Sequence, residues 1–148
     1  MHATLKFLGG VEPTRLQAVR HAVDQVATRH AAMKMSVRGL GTFPSPRRPR
    51  VVWAGLHCAG VADLARDIEA ALEPLGFPAE ERDFDPHITF ARIRSPRGVG
   101  PLRSALERQA GTEFGSVDVK AITLYRSTLH RDGAVYEALW TIPLAQHK

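Results

Sequence analysis

DPHITFARIR, residues 85–94, carries His87 and, two positions on, Thr89, in a short apolar run entered through Pro86. The same pair at the same spacing opens the chain, as His2 and Thr4 of MHATLKFLGG, residues 1–10. Side chains on an extended strand alternate faces with a period of two. Each run therefore presents an imidazole beside a hydroxyl, leaving Leu5 and Phe7, or Ile88 and Phe90, to pack beneath.

Working outward, residues 2–8 read as a strand stopped by Gly9-Gly10. Leu16, Val19, Val23 and Val26 recur at helical spacing and predict an amphipathic helix over about 14–30. Residues 33–40 alternate as a half-buried strand, 41–50 form a proline-rich loop, and 51–56 form a second strand. Val61, Leu64, Ile68, Leu72 and Leu75 mark a second helix closed by Gly76. A strand over 87–93, a short helix near 101–110 and strands near 116–129 and 134–143 follow. The last two flank Asp132-Gly133, a hairpin turn signal.

This order is βαββ, a helix, then βαββ again, offset by the 85 positions that separate His2 from His87. It indicates an internal duplication. The expected architecture is an α+β fold of two pseudo-symmetric βαββ lobes with antiparallel sheets around a central cleft. Lobe one covers about 1–58, a linking helix 60–76, and lobe two about 85–144.

At 148 residues, with 44% hydrophobic and 24% charged residues, the chain fits one soluble domain. No apolar run is long enough to span a membrane, and no signal peptide is legible. The lone Cys58 forms no internal disulfide and points to a reducing cytoplasm; it is read as a small buried residue near a strand end. The net charge is +5, and only four of the 20 basic residues are lysines. Arg47, Arg48 and Arg50 share one loop, and Arg92, Arg94 and Arg97 follow the second His-x-Thr. Guanidinium forks match phosphate oxygens in pairs, so the grouping favours a polyanion such as RNA.

Two His-x-Thr strands brought together would surround one small space with two imidazoles and two hydroxyls. One histidine can take a proton from an attacking oxygen while the other gives one to a leaving oxygen. The hydroxyls and a nearby arginine can hold the phosphoryl oxygens between them. The chemistry this suits is displacement at a phosphodiester, without a metal, a cofactor or a covalent enzyme intermediate. The other histidines (His21, His30, His57, His130 and His147) read as surface or capping residues. Two histidines beside threonines make a poor zinc set, although Asp83 and Asp85 lie near His87 in sequence. No K-x-D-G or P-loop motif supports an ATP-dependent ligase.

HATLKFLG, GLGTFPSPRRPRVVWAGL, DPHITFARIR and LYRSTLHRDGAVYEAL together resemble the bacterial RNA 2′,3′-cyclic phosphodiesterase and 2′-5′ RNA ligase family of the 2H phosphoesterase superfamily. The likeness runs from residue 2 to about 144, with the paired His-x-Thr motifs as its specific part. The resemblance implies opening of 2′,3′-cyclic phosphate ends to 2′-phosphates, and reversible, ATP-independent 2′-5′ joining. It implies His2 and His87 as the catalytic pair and Thr4 and Thr89 as phosphate holders. By the same carry-over Arg92 binds phosphate and Trp53 lies beside the nucleobase. Strict alternation would put Arg92 on the face opposite His87, so the strand must bend or end before it; Lys6, in phase with His2, is an alternative cation.

Family members usually carry a further strand and helix before the first His-x-Thr, and here Met1 abuts His2. Weak or absent activity is expected relative to a chain extended upstream. The expected partners are RNA ends or nucleoside 2′,3′-cyclic phosphates, met by a cytoplasmic monomer. The alternative is a non-catalytic RNA- or nucleotide-binding module built on the same cleft.

Overall fold

The computed structural model describes residues 2–43, 47–81, 84, 86–95, 97 and 99–146. Asp83, Asp85 and His147, all named above, lie outside the described residues.

A 3-10 turn over Pro13–Arg15 leads into α1 (Leu16–Ala27), whose Val19, Val23, Val26 and Ala27 are buried. This is the stripe that the valine spacing predicts. β1 (Met33–Phe43) and β2 (Val51–His57) follow, then α2 (Ala59–Leu72), which buries Val61, Leu64, Ala65, Ile68 and Leu72. A 3-10 turn and Gly76, in the left-handed conformation at φ 94°, end this helix where the sequence indicates. β3 (His87–Arg92), α3 (Val99–Arg108), β4 (Glu113–Val119), β5 (Ala121–His130) and β6 (Gly133–Pro143) complete the order. Arg131 and Asp132 form the tight turn between the last two strands.

Among the described residues two antiparallel sheets result: a four-stranded one in the order β3-β2-β1-β4, and the β5-β6 hairpin. The fold is α+β, as expected, but the strands do not distribute by chain order. The strand that opens the second unit, β3, adds to the hairpin of the first. The segment expected as one strand over 116–129 is instead two strands in different sheets. It divides at Lys120, whose carbonyl accepts from the Leu144 amide as the chain leaves β1 for β6.

Residues 2–8 do not form the predicted strand. They touch β3 through the isolated antiparallel bridge Ala3–Ile88 and bend at Leu5. Beyond the bend the alternation fails: Leu8 packs inward, whereas Phe7 is 75% exposed rather than packed beneath the motif. Leu5 touches both apolar clusters, one between α1, α2 and β6, the other between β1, β2 and the start of α2. Lys6 secures the segment from the other side. Its Nζ donates to Glu69 Oε2 at 2.7 Å and to the Pro78 carbonyl at 2.9 Å.

His30, expected as a surface or capping residue, is half-buried and paired. Its Nε2 lies 2.7 Å from Asp67 Oδ2 and ties the end of α1 to α2. Cys58, whose thiol is free and half-buried, stands at the N-cap position of α2 just past β2 and makes no side-chain capping bond. Among the described residues no helix is long and apolar enough to cross a membrane.

Candidate active site

The Ala3–Ile88 bridge fixes how the two motifs meet. Counting outward from an antiparallel bridge, Thr4 falls opposite His87 and His2 opposite Thr89. Ala3 and Ile88 both pack against the core cluster of Met35, Leu56 and Val61. The flanking positions, His2, Thr4, His87 and Thr89, therefore turn away from that core together. In this register the two histidines are diagonal neighbours, a relationship that sets Cα atoms about 7–8 Å apart. The local two-fold of the ribbon exchanges His2 with His87 and Thr4 with Thr89. His2, Thr4 and Thr89 are exposed and His87 is half-buried.

Aromatic rings of the described residues stand against each imidazole. His87 has Phe43 at 5.3 Å and Trp53 at 5.8 Å between ring centroids, and those two rings are themselves 5.3 Å apart. His2 stacks on Tyr125 at 5.1 Å and meets Tyr136 edge-on at 5.0 Å. The second-half histidine thus leans on the first-half hairpin, and the first-half histidine on the second-half hairpin. The symmetry expected from the duplication is kept by this exchange.

The register of β2 against β3 answers the question of Arg92. Gly55 faces His87 and Trp53 faces Thr89, but Val52 faces Ala91 and Val51 faces Arg92. One extra residue, Phe90, is accommodated in β3 as a bulge, and a bulge re-phases the strand beyond it. Gly55, Trp53 and Val51 share one face of β2, so Arg92 returns to the face of His87 and Thr89. Lys6 is excluded as the alternative cation: its side chain is 4% exposed and committed to Glu69 and Pro78.

Trp53 lies on this same face, half-buried beside His87 rather than in the core. Its indole lies across Gly41, where a Cβ would come within 2.5 Å of Trp53 Cη2, so only glycine leaves the ring its place. Gly55 adds a second side-chain-free position, tight against the Arg38 carbonyl and His57. Among the described residues no three His, Cys, Asp or Glu side chains gather as metal ligands.

Sequence reasoning missed Phe43, Tyr125 and Tyr136. Pro44 after Phe43 suggests that the loop has already begun there, but β1 runs on through Phe43. For the tyrosines a signal was present. Tyr125 and Leu129 stand in phase on β5, and Tyr136 faces Ser127 between them, so an apolar stripe lies where a solvated face would be polar.

The family model described as the 2′-5′ RNA ligase superfamily matches residues 1–131. The chain belongs to that superfamily. It is 36% identical over 147 residues to a protein of Aeropyrum pernix named RNA 2′,3′-cyclic phosphodiesterase, covering 97% of this chain and 82% of the relative. A crystal structure from Thermus thermophilus superposes with a TM-score of 0.81 at 31% identity, covering 97% of this chain and 77% of the other. The E. coli LigT structure with 3′-AMP gives 0.73 at 26%, covering 98% and 77% respectively. As a superfamily member this chain shares the fold of proteins solved with nucleotides in hand, and its paired motifs fall inside the matched span.

Proposed function

We propose that the protein is an RNA 2′,3′-cyclic phosphodiesterase that opens cyclic phosphate ends to 2′-phosphates by two-histidine acid-base catalysis. The observation that carries this reading is the Ala3–Ile88 bridge, which sets two imidazoles and two hydroxyls on one face of an antiparallel ribbon. His87 takes a proton from a water whose oxygen attacks phosphorus. The P–O3′ bond breaks, and His2 gives its proton to the departing 3′-oxygen. Thr4 and Thr89 donate to the non-bridging oxygens, Arg92 neutralises their charge, and Trp53 with Phe43 offers an aromatic wall to the terminal base.

Run with an RNA 5′-hydroxyl in place of water, the same exchange forms a 2′-5′ phosphodiester. The cyclic ester supplies the drive, so ATP has no part. No step needs a metal or cofactor. We infer a monomer acting in the cytoplasm, in keeping with a single free thiol.

Incubation with a nucleoside 2′,3′-cyclic monophosphate in excess chelator tests the reading. The 2′-phosphate is the expected product; the 3′-isomer, or turnover that stops in chelator, overturns it. A non-catalytic RNA-binding module is the second reading, favoured by the same arginine groups. Nucleotide binding by the native chain without turnover, surviving replacement of both histidines, would select it.

A further inference from the structure

The two arginine groups, more than forty positions apart in sequence, meet at one end of the four-stranded sheet. Val51 faces Arg92, the Ile93 amide donates to the Arg50 carbonyl at 2.8 Å, and the Arg50 amide donates to the Phe43 carbonyl at 2.7 Å. Arg50 therefore lies beside Arg92 and Ile93, Arg47 belongs to the loop that Arg50 closes and Arg94 and Arg97 follow Ile93, and all five arginines are exposed. No Asp or Glu occurs between residues 25 and 62 or between 86 and 106. Other arginines are neutralised: Arg66 by Asp63, Arg103 by Glu107 and Arg126 by Glu137. These five make no ion pair among the described residues. No lysine occurs between residues 35 and 119, so the charge of the patch is carried by guanidinium groups alone.

The patch is continuous with the candidate site. Arg92 shares the face of His87 and Thr89, and Phe43, bonded through its carbonyl to Arg50, contacts the His87 ring. Uncompensated guanidinium groups leading away from an aromatic wall are the arrangement that holds a single-stranded polynucleotide. A 2′,3′-cyclic phosphate closes the 3′ end of an RNA, so the rest of that strand runs off on its 5′ side with one phosphate per nucleotide.

Resting on the phosphodiesterase reading, we propose that Arg47, Arg94 and Arg97 form a track for the phosphates 5′ of the reacting end. The substrate is then an oligoribonucleotide in preference to a mononucleotide. The track adds affinity and salt dependence without touching the chemistry.

The triple variant Arg47→Ala/Arg94→Ala/Arg97→Ala tests this against two substrates, a nucleoside 2′,3′-cyclic monophosphate and a short oligoribonucleotide ending in a 2′,3′-cyclic phosphate. On the oligomer kcat/KM should fall about 10- to 100-fold at low salt, and its log–log salt slope should shrink by about 0.7 for each phosphate that no longer meets an arginine. The mononucleotide should be turned over as by the native chain. Equal losses on both substrates, or none on either, overturn the track. Should the native chain turn over neither substrate, the phosphodiesterase reading fails and equilibrium binding decides the track by itself. Salt-sensitive binding of a labelled oligoribonucleotide 3′-phosphate that the triple variant loses supports it; equal binding by both proteins overturns it. Retained oligonucleotide binding with lost binding to phosphatidylserine vesicles also overturns it, assigning the patch to a membrane surface.

Discussion

Ala3 is bridged to Ile88, antiparallel, and this contact joins two segments that begin 85 positions apart. It sets Thr4 opposite His87 and His2 opposite Thr89, so neither histidine is complete without the other motif. His2→Ala and His87→Ala should each lower turnover of a cyclic phosphate about 10²- to 10⁴-fold, the usual range for one general acid or base. The double variant should lose much less than the product of the two, since in the proposed mechanism both groups serve one proton-transfer sequence. Steady-state rates on a nucleoside 2′,3′-cyclic phosphate check both statements.

The bulge at Phe90 returns Arg92 to the face of His87. An ionic hydrogen bond to phosphate is worth about 1.5–3 kcal/mol, so Arg92→Ala should cost roughly 10- to 100-fold in kcat/KM. Arg92→Lys should recover only part, because an ammonium keeps the charge and loses the fork. Full recovery by lysine would show that charge alone suffices.

The sequence made the helices plain because Val19, Val23 and Val26, and Leu64, Ile68 and Leu72, repeat at a period that only a helix can bury on one side. The paired motifs were equally plain. The bulge was not: one inserted residue in β3 leaves no mark in composition, yet it reverses the face of everything after it. Nor did the sequence reveal the exchange of hairpins. Which strand pairs with β2 depends on long-range packing, and β3 has the same alternating pattern whichever sheet it joins. Residues 2–8 misled for a local reason. Their apolar run satisfies two clusters through Leu5 and Leu8, and the bend this requires breaks the ladder.

Trp53 owes its position to the absence of a side chain at Gly41. Gly41→Ala should push the indole off the sheet at a cost of about 1–3 kcal/mol in stability, typical of overpacking. The displaced ring should change tryptophan fluorescence when Trp140→Phe removes the other emitter. Activity should fall more than stability explains, measured as kcat/KM at a temperature where the variant is fully folded.

Lys6 holds the bent segment that carries His2 through Glu69 and the Pro78 carbonyl. Lys6→Met keeps the length of the stem but leaves both acceptors unpaired, which should cost about 1–3 kcal/mol by denaturant titration. Loosening the tether should also lower kcat, because His2 would spend less time opposite Thr89. Loss of stability with unchanged kcat would show that Leu5 and the Ala3–Ile88 bridge suffice to place the motif.

The His30–Asp67 pair offers a test by pH. The hydrogen bond from His30 Nε2–H, reinforced by the charges of His30, Arg29 and Arg66, holds the Asp67 carboxyl below its ordinary value of 3.8 against the opposing effect of burial. A carboxyl depressed in the folded state stabilises the fold above its unfolded pKa and loses that contribution as pH falls through the folded value. Asp67→Asn should therefore lower the denaturation midpoint near neutral pH. The gap from the native chain should narrow through the acid range and close once the native carboxyl is protonated. A gap of constant size down to the lowest pH would mean that the asparagine disturbs packing between α1 and α2, and that the ion pair contributes nothing.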